Sequence, residues 1–172
     1  MPYSPLSILR PLGLLLAFCA CTVAAQTYPA RPIRLLVAYP PGGATDITAR
    51  VVAPKMGDSL GQQVIVDNRP GANGLVATAV LAKSAPDGHT LMVVDSAHSA
   101  NPALYAKIPY DTLKDFTTIG LAARIPMVLL VNPSLPVKSV RELIALAKST
   151  PGKINYASAG TGSAIFLVTE LF

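Results

Sequence analysis

The sequence predicts a parallel α/β fold, with buried strands in one sheet and helices on its faces. Apolar runs of strand length alternate with segments of helical period, which is the pattern of successive strand–helix–strand units. The strand runs are also nearly continuous in apolar residues, as strands covered on both faces must be. A third observation bears on function. Four strand runs stop in loops of short polar residues, three of them rich in glycine, and such loops face the crevice where open α/β sheets bind ligands.

The chain opens with MPYSPLSILRPLGLLLAFCACTVAAQ, in which one positive charge, Arg10, precedes an apolar stretch ending in small residues. Val23 and Ala25 stand at the −3 and −1 positions of a cleavage site, so residues 1–25 read as a secretory signal. The apolar core from Leu12 to Ala25 is shorter than the roughly 20 residues a bilayer crossing needs. Cys19 and Cys21 both lie in this segment, so a chain starting at Gln26 has no disulfide, metal thiolate or cysteine nucleophile. Ala20 leaves lipid attachment at Cys21 as an alternative, although Phe18 stands where such a site prefers leucine.

IRLLVAY (33–39) is the first strand. YPPGGATD (39–46) ends it: Pro40 and Pro41 stop the ladder, Gly42 and Gly43 bare the backbone, and Thr45 or Asp46 is placed to cap a helix. That helix runs from about Thr45 to Leu60, with Ile47, Val51, Val52, Met56 and Leu60 as its apolar stripe. QQVIVDN (62–68) is the second strand, NRPGANG (68–74) a glycine turn, and GLVATAVLAKSA (74–85) an alanine-rich helix suited to close packing on a sheet. HTLMVVD (89–95) is the third strand; it ends in DSAHSANP (95–102), which brings hydroxyls, His98 and Asn101.

The rhythm then changes. NPALYAKIPYDTLKDF (101–116) holds two prolines and reads as a loop with short helical turns, and TTIGLAA and MVLLVNP are further apolar runs. SVRELIALAKST (139–150) is an amphipathic helix with Ser139 as N-cap and Glu142 completing a capping box. KINYASAG reads as a strand running into the loop SAGTGSA (158–164), and SAIFLVTELF as a helix bearing Phe166, Leu167, Leu171 and Phe172. A further half is expected to close that last layer.

Fourteen basic and nine acidic residues give a net charge of +5; without Arg10 it is +4. The cations are scattered, with no clustered runs or interleaved aromatics, which disfavours a nucleic-acid surface and leaves a solvated basic face or attraction of small anions. The glycine loop at 39–46 is neither a Walker loop nor a GxGxxG fingerprint. There is no GxSxG elbow and no HExxH, and His89 and His98 are too few for a metal site.

Six stretches carry a resemblance over 28–172: YPARPIRLLVAYPPGGATDITAR, LGQQVIVDNRPGANG, APDGHTLMV, NPALYAKIPYDTLKDF, LLVNPSLPVKSVRELIALAK and PGKINYASAGTGS. In this order they resemble the Bug-type solute-binding receptors of tripartite tricarboxylate transporters, which are periplasmic in Gram-negative bacteria. The resemblance implies a type II periplasmic-binding-protein-like fold, a two-lobed flytrap about twice this length. Residues 26–123 would form most of the first lobe and 124–172 the start of a truncated second. It further implies a non-enzymatic monomer without cofactor or metal, which captures a small carboxylate for membrane permease subunits.

By the same resemblance, Tyr39, Pro41, Gly42, Gly43, Ala44, Thr45 and Asp46 form one wall of the pocket and grip a carboxylate through backbone amides and ordered water. Asp46 would repel that carboxylate, so it is expected to cap the helix or accept bonds from backbone and water. Ser96 and His98 in the third loop, with Ser158, Thr161 and Ser163 in the fourth, would add polar contacts. The ligand stays open among dicarboxylates, tricarboxylates, amino acids, nicotinate and aromatic acids. Two rivals are a ligand sensor that contacts a signalling partner and a hydrolase using Ser96 or Ser163 with His98.

Overall fold

Ile33, Leu35 and Val37 point to one side of a strand and Arg34 and Leu36 to the other, because side chains alternate along extended backbone. The computed structural model describes residues 27–172, so the signal expected at 1–25 and both cysteines lie outside the described residues. In it, Ile33–Val37 is strand β1, the centre of a three-stranded sheet ordered β2-β1-β3 with β2 at Val64–Asn68 and β3 at Thr90–Val93. Both pairings are parallel. Ile33 to Val37 register with Val64 to Asn68, and Arg34 to Val37 with Thr90 to Val93.

Helix α1, Ala44–Leu60, joins β1 to β2 and lies on the face carrying Leu35 and Val37, which pack with its Ala49 and Ala53 and with Val64, Val66, Leu91 and Val93. The expected stripe is corrected here. Ile47 and Val51 are exposed, and the buried face is Asp46, Ala49 and Ala53, where small residues let the helix axis approach the sheet. Each fully buried valine, leucine or isoleucine contributes about 1.5–3 kcal/mol. Gly61, left-handed at φ 67, ends α1.

After a short 3₁₀ turn at Ala72–Gly74, helix α2, Leu75–Ala82, covers the opposite face, where the Thr78 hydroxyl contacts the Met92 sulfur at 3.8 Å and Leu36 is fully buried. The sheet is therefore clothed on both sides, as its apolar strands require.

Two expectations beyond β3 are revised. Ala97–Leu104 is one helix, α3, with Pro102 inside it, where a loop with turns was expected. Pro102 is the sixth of the eight residues, so the helix forgoes the bond an N–H there would give the His98 carbonyl, and it ends two residues later at Leu104. The stretch KINYASAG, expected as a strand, forms none; the apolar runs within 117–133 are likewise without strand structure. A strand needs a neighbour for its backbone groups, and none stands beside these segments among the described residues. Helices α4, Val140–Ser149, and α5, Ala164–Leu171, form as expected. The Ser139 hydroxyl accepts from the Glu142 N–H at 3.3 Å, but the Glu142 carboxylate reaches past the cap to the Lys138 N–H at 2.6 Å.

Candidate functional site

Because all three strands are parallel, their carboxyl ends and the loops that follow lie on one edge of the sheet. The first of these loops is built around Asp46. Its carboxylate is shielded from solvent and accepts from the Gly42 N–H at 2.9 Å, the Arg50 Nε at 2.9 Å and the Asn68 side-chain amide at 2.9 Å. The Arg50 bond first, then those from Gly42 and Asn68, hold its carboxyl at about 2. Arg50 also donates to Asn68, and Asn68 to the Tyr39 carbonyl, so loop, helix and β2 form one bonded ring.

Asp46 thus accepts a backbone bond, as expected, but it is not the N-cap. Gly43 holds that position and offers no side-chain cap, nor does Thr45. The N–H groups of Ala44 and Thr45, at the start of a 17-residue helix, have no intrahelical acceptor by construction and sit at the positive end of its dipole. Gly42 has φ +89, a backbone that side chains rarely adopt, and a Cβ added there would meet nothing within 4 Å. Pro41, Gly42, Gly43 and Ala44 are exposed and Thr45 is half-buried. The loop is thus exposed, open at Gly42 and supplied with unused amide donors, with its own negative charge already neutralised.

The third loop is tied to the first through Asp95, which accepts from the Tyr39 hydroxyl at 2.9 Å and from the Ala97 N–H at 3.1 Å. Burial, and then the bond to Asp95, push the Tyr39 hydroxyl well above the usual phenol range. Ser96 is exposed at the N-cap of α3 without a side-chain cap bond, since Asp95 supplies it. His98 stacks on Tyr110 at 6.0 Å and meets the edge of Phe116 at 5.6 Å. Its Nδ1 is buried with no hydrogen-bond partner, and burial lowers its pKa. Tyr39, Asn73, Asp95, His98 and Asn101 line one narrow crevice below the loops.

The fourth loop reaches this edge without a strand of its own. Asn73, in the second loop, donates to the Asn101 side chain at 2.9 Å and to the Gly162 carbonyl at 2.8 Å. Ser158 and Thr161 are exposed, and the Ser158 hydroxyl accepts from the Gly160 N–H at 3.3 Å. Ser163 is buried and its hydroxyl caps α5 by accepting from the Phe166 N–H at 3.2 Å. Neither Ser96 nor Ser163 bonds to His98 among the described residues, so no serine–imidazole pair is formed there. Nor do three histidine, cysteine, aspartate or glutamate side chains come together among these residues as a metal-holding group.

The sequence reading missed Arg50, Asn68, Asn73 and Asp95. Arg50 was legible as the i+4 partner of Asp46, and Asp95 as a short acid two residues before a helix. Asn73 acts through contacts 28 and 89 residues away, which leave no local signal. A larger open groove, about 780 Å³, lies between β2 and the second half of α1, lined by Pro54, Gly57, Asp58 and Gln62 among others. It sits towards the negative end of the helix dipole, which disfavours anions there.

Residues 48–172 match the tripartite tricarboxylate transporter family receptor. Protein BugT of Bordetella pertussis is 43% identical over 169 residues, covering 96% of this chain and 52% of BugT. An R. palustris structure solved with adipate superposes with a TM-score of 0.78 at 37% identity, over 84% of this chain and 48% of that one. MatC from Rhodopseudomonas palustris, with bound malate, gives a TM-score of 0.70 at 37% identity, over 80% of this chain and 47% of MatC. The chain spans about half the length of these relatives, and over that half its α/β architecture is that of periplasmic binding proteins.

Proposed function

Because the chain belongs to the tripartite tricarboxylate transporter receptor family, we propose that it serves as a periplasmic solute-binding receptor, capturing a small carboxylate and passing it to membrane permease subunits. In this reading residues 1–25 direct export, 26–123 make most of one lobe, 124–172 begin the other, and the receptor acts as a monomer without cofactor. The observation that supports it best is the first loop. Unused N–H donors at the start of α1 adjoin the open space at Gly42, while Asp46 is bound to Arg50, Asn68 and Gly42 and presents little repulsion.

A carboxylate would sit against the amides of Gly43, Ala44 and Thr45, directly or through water, with Tyr39, Pro41 and Asp46 shaping the wall behind it. Ser96, His98, Ser158 and Thr161 would supply the remaining polar contacts, and Ser163 would fix the fourth loop by capping α5. His98 presents an unpartnered ring nitrogen in a buried setting, where a bond to ligand or water offsets a desolvation cost. Nothing in this scheme needs a nucleophile, so the protein is read as a binder rather than an enzyme. Dicarboxylates are the leading ligand class, on the adipate and malate of the two neighbours.

Thermal unfolding of the full chain with adipate, malate and citrate tests the proposal. A ligand that binds only the folded state at a hundredfold excess over its Kd adds about 2.7 kcal/mol. One acid is expected to raise the midpoint by several degrees and its methyl ester to leave it unchanged. Equal midpoints with every acid and ester would overturn the reading.

A further inference from the structure

Residues 27–123 and 124–172 are joined by one hydrogen bond among the described residues, the bond from the Asn73 side chain to the Gly162 carbonyl. We propose that Asn73 is the positioning residue that sets the fourth loop over the carboxylate site, acting as a latch between the two lobes. The inference rests on the receptor reading for what the latch serves, but its geometry stands on the contacts themselves.

Both amide hydrogens of Asn73 are used, one on Gly162 and one on Asn101, and its own carbonyl accepts from the Asn101 side chain at 3.2 Å. Asn101 is almost wholly buried in α3, so Asn73 is clamped from below while it reaches across. Its backbone is left-handed, at φ 50, a conformation that asparagine tolerates better than most residues. On the other side, Gly162 is buried at φ +83, and a Cβ there would lie 3.0 Å from the Asn73 amide nitrogen and 3.1 Å from Leu104 Cδ1. The fit requires a side-chain amide at one position and no side chain at the other. Ser163 follows Gly162 and caps α5, so the latch also sets where that helix starts.

Hydrogen exchange of the full chain, without ligand, reads the latch directly. Asn73→Gly keeps the left-handed backbone and removes the amide. Exchange in residues 160–166 is expected to quicken about fivefold, the equivalent of one net hydrogen bond, with β1 and α1 unchanged. Unchanged exchange in 160–166 would overturn the proposal. If Asn73→Gly does not fold, Gly162→Ala tests the same contact from the opposite side and is expected to give the same local quickening. With adipate or malate, the variant is expected to release ligand faster, beyond the fall in ligand-free melting point that loss of the bond to buried Asn101 brings; a variant that melts lower but releases ligand at the wild-type rate would make Asn73 merely structural and overturn the proposal. If no acid binds the wild type while residues 160–166 quicken in the variant, the receptor reading fails and the latch stands.

Discussion

Strand β1, IRLLV, and residues 127–131, MVLLV, share three of five letters and meet opposite fates. Ile33, Leu36 and Val37 are fully buried, whereas Val128 is 75% and Leu130 83% exposed. Composition does not separate them; neighbours do. β1 has a parallel partner on each side and a helix on each face, so its backbone groups are paired and its side chains covered. Residues 127–131 have no ladder among the described residues. An apolar run codes for a strand only where the fold places other strands beside it.

Truncation mutants at matched positions can break this comparison. Leu36→Ala in β1 is expected to cost about 3 kcal/mol or more in urea unfolding, from lost burial and a residual cavity. Leu130→Ala is expected to change stability by less than about 0.5 kcal/mol. Equal costs would mean that the exposed run is buried in solution and that the contrast is false.

The next effect in size concerns Asp46. Its carboxyl is lower in the fold than in the unfolded chain, so its contribution is full above about pH 4 and fades as pH falls towards about 2. Asp46→Asn is expected to lower the melting point at pH 7 by roughly 5 °C, because a donor replaces an acceptor among three donors. The variant should also lack that part of the wild type's acid sensitivity. A melting curve that falls alongside the wild type's between pH 4 and pH 2 would contradict this assignment.

The same contrast explains what was legible. The order β1-α1-β2-α2-β3 was readable because period and punctuation agree over 33–93, and the α4 cap because Ser139 bonds within three residues, whereas Ser163 was read as a ligand contact and caps α5. The stripe on α1 was misread because alanines, not the larger Ile47 and Val51, face the sheet. The helix at 97–104 was hidden by Pro102. The strand expected in KINYASAG depends on neighbours that a local pattern cannot supply. Within the site, the glycines and the first-turn donors were readable, whereas Asn73 and Asp95 act through contacts between loops distant in sequence.

Smaller effects sharpen the comparison on the later segment. Ser163→Ala is expected to cost about 1 kcal/mol through loss of the α5 cap, read as fraying of that helix. A hydrolytic activity that disappears in this variant would instead make Ser163 a nucleophile. His98 has a pKa lowered by burial, so its neutral form is favoured in the fold; stability is full above about pH 6.5 and declines as pH falls below it. His98→Phe should flatten that component between pH 7 and pH 5, and an unchanged slope would place the titration elsewhere.

The most direct test follows the backbone amides of the full chain by nuclear magnetic resonance during titration with adipate and malate. The amides of Gly42, Gly43, Ala44 and Thr45 are expected to shift downfield with one of the acids, while those lining the groove at Gly57–Val66 stay in place. Shifts confined to that groove, or none at the start of α1 under saturating acid, would contradict carboxylate capture at the first loop.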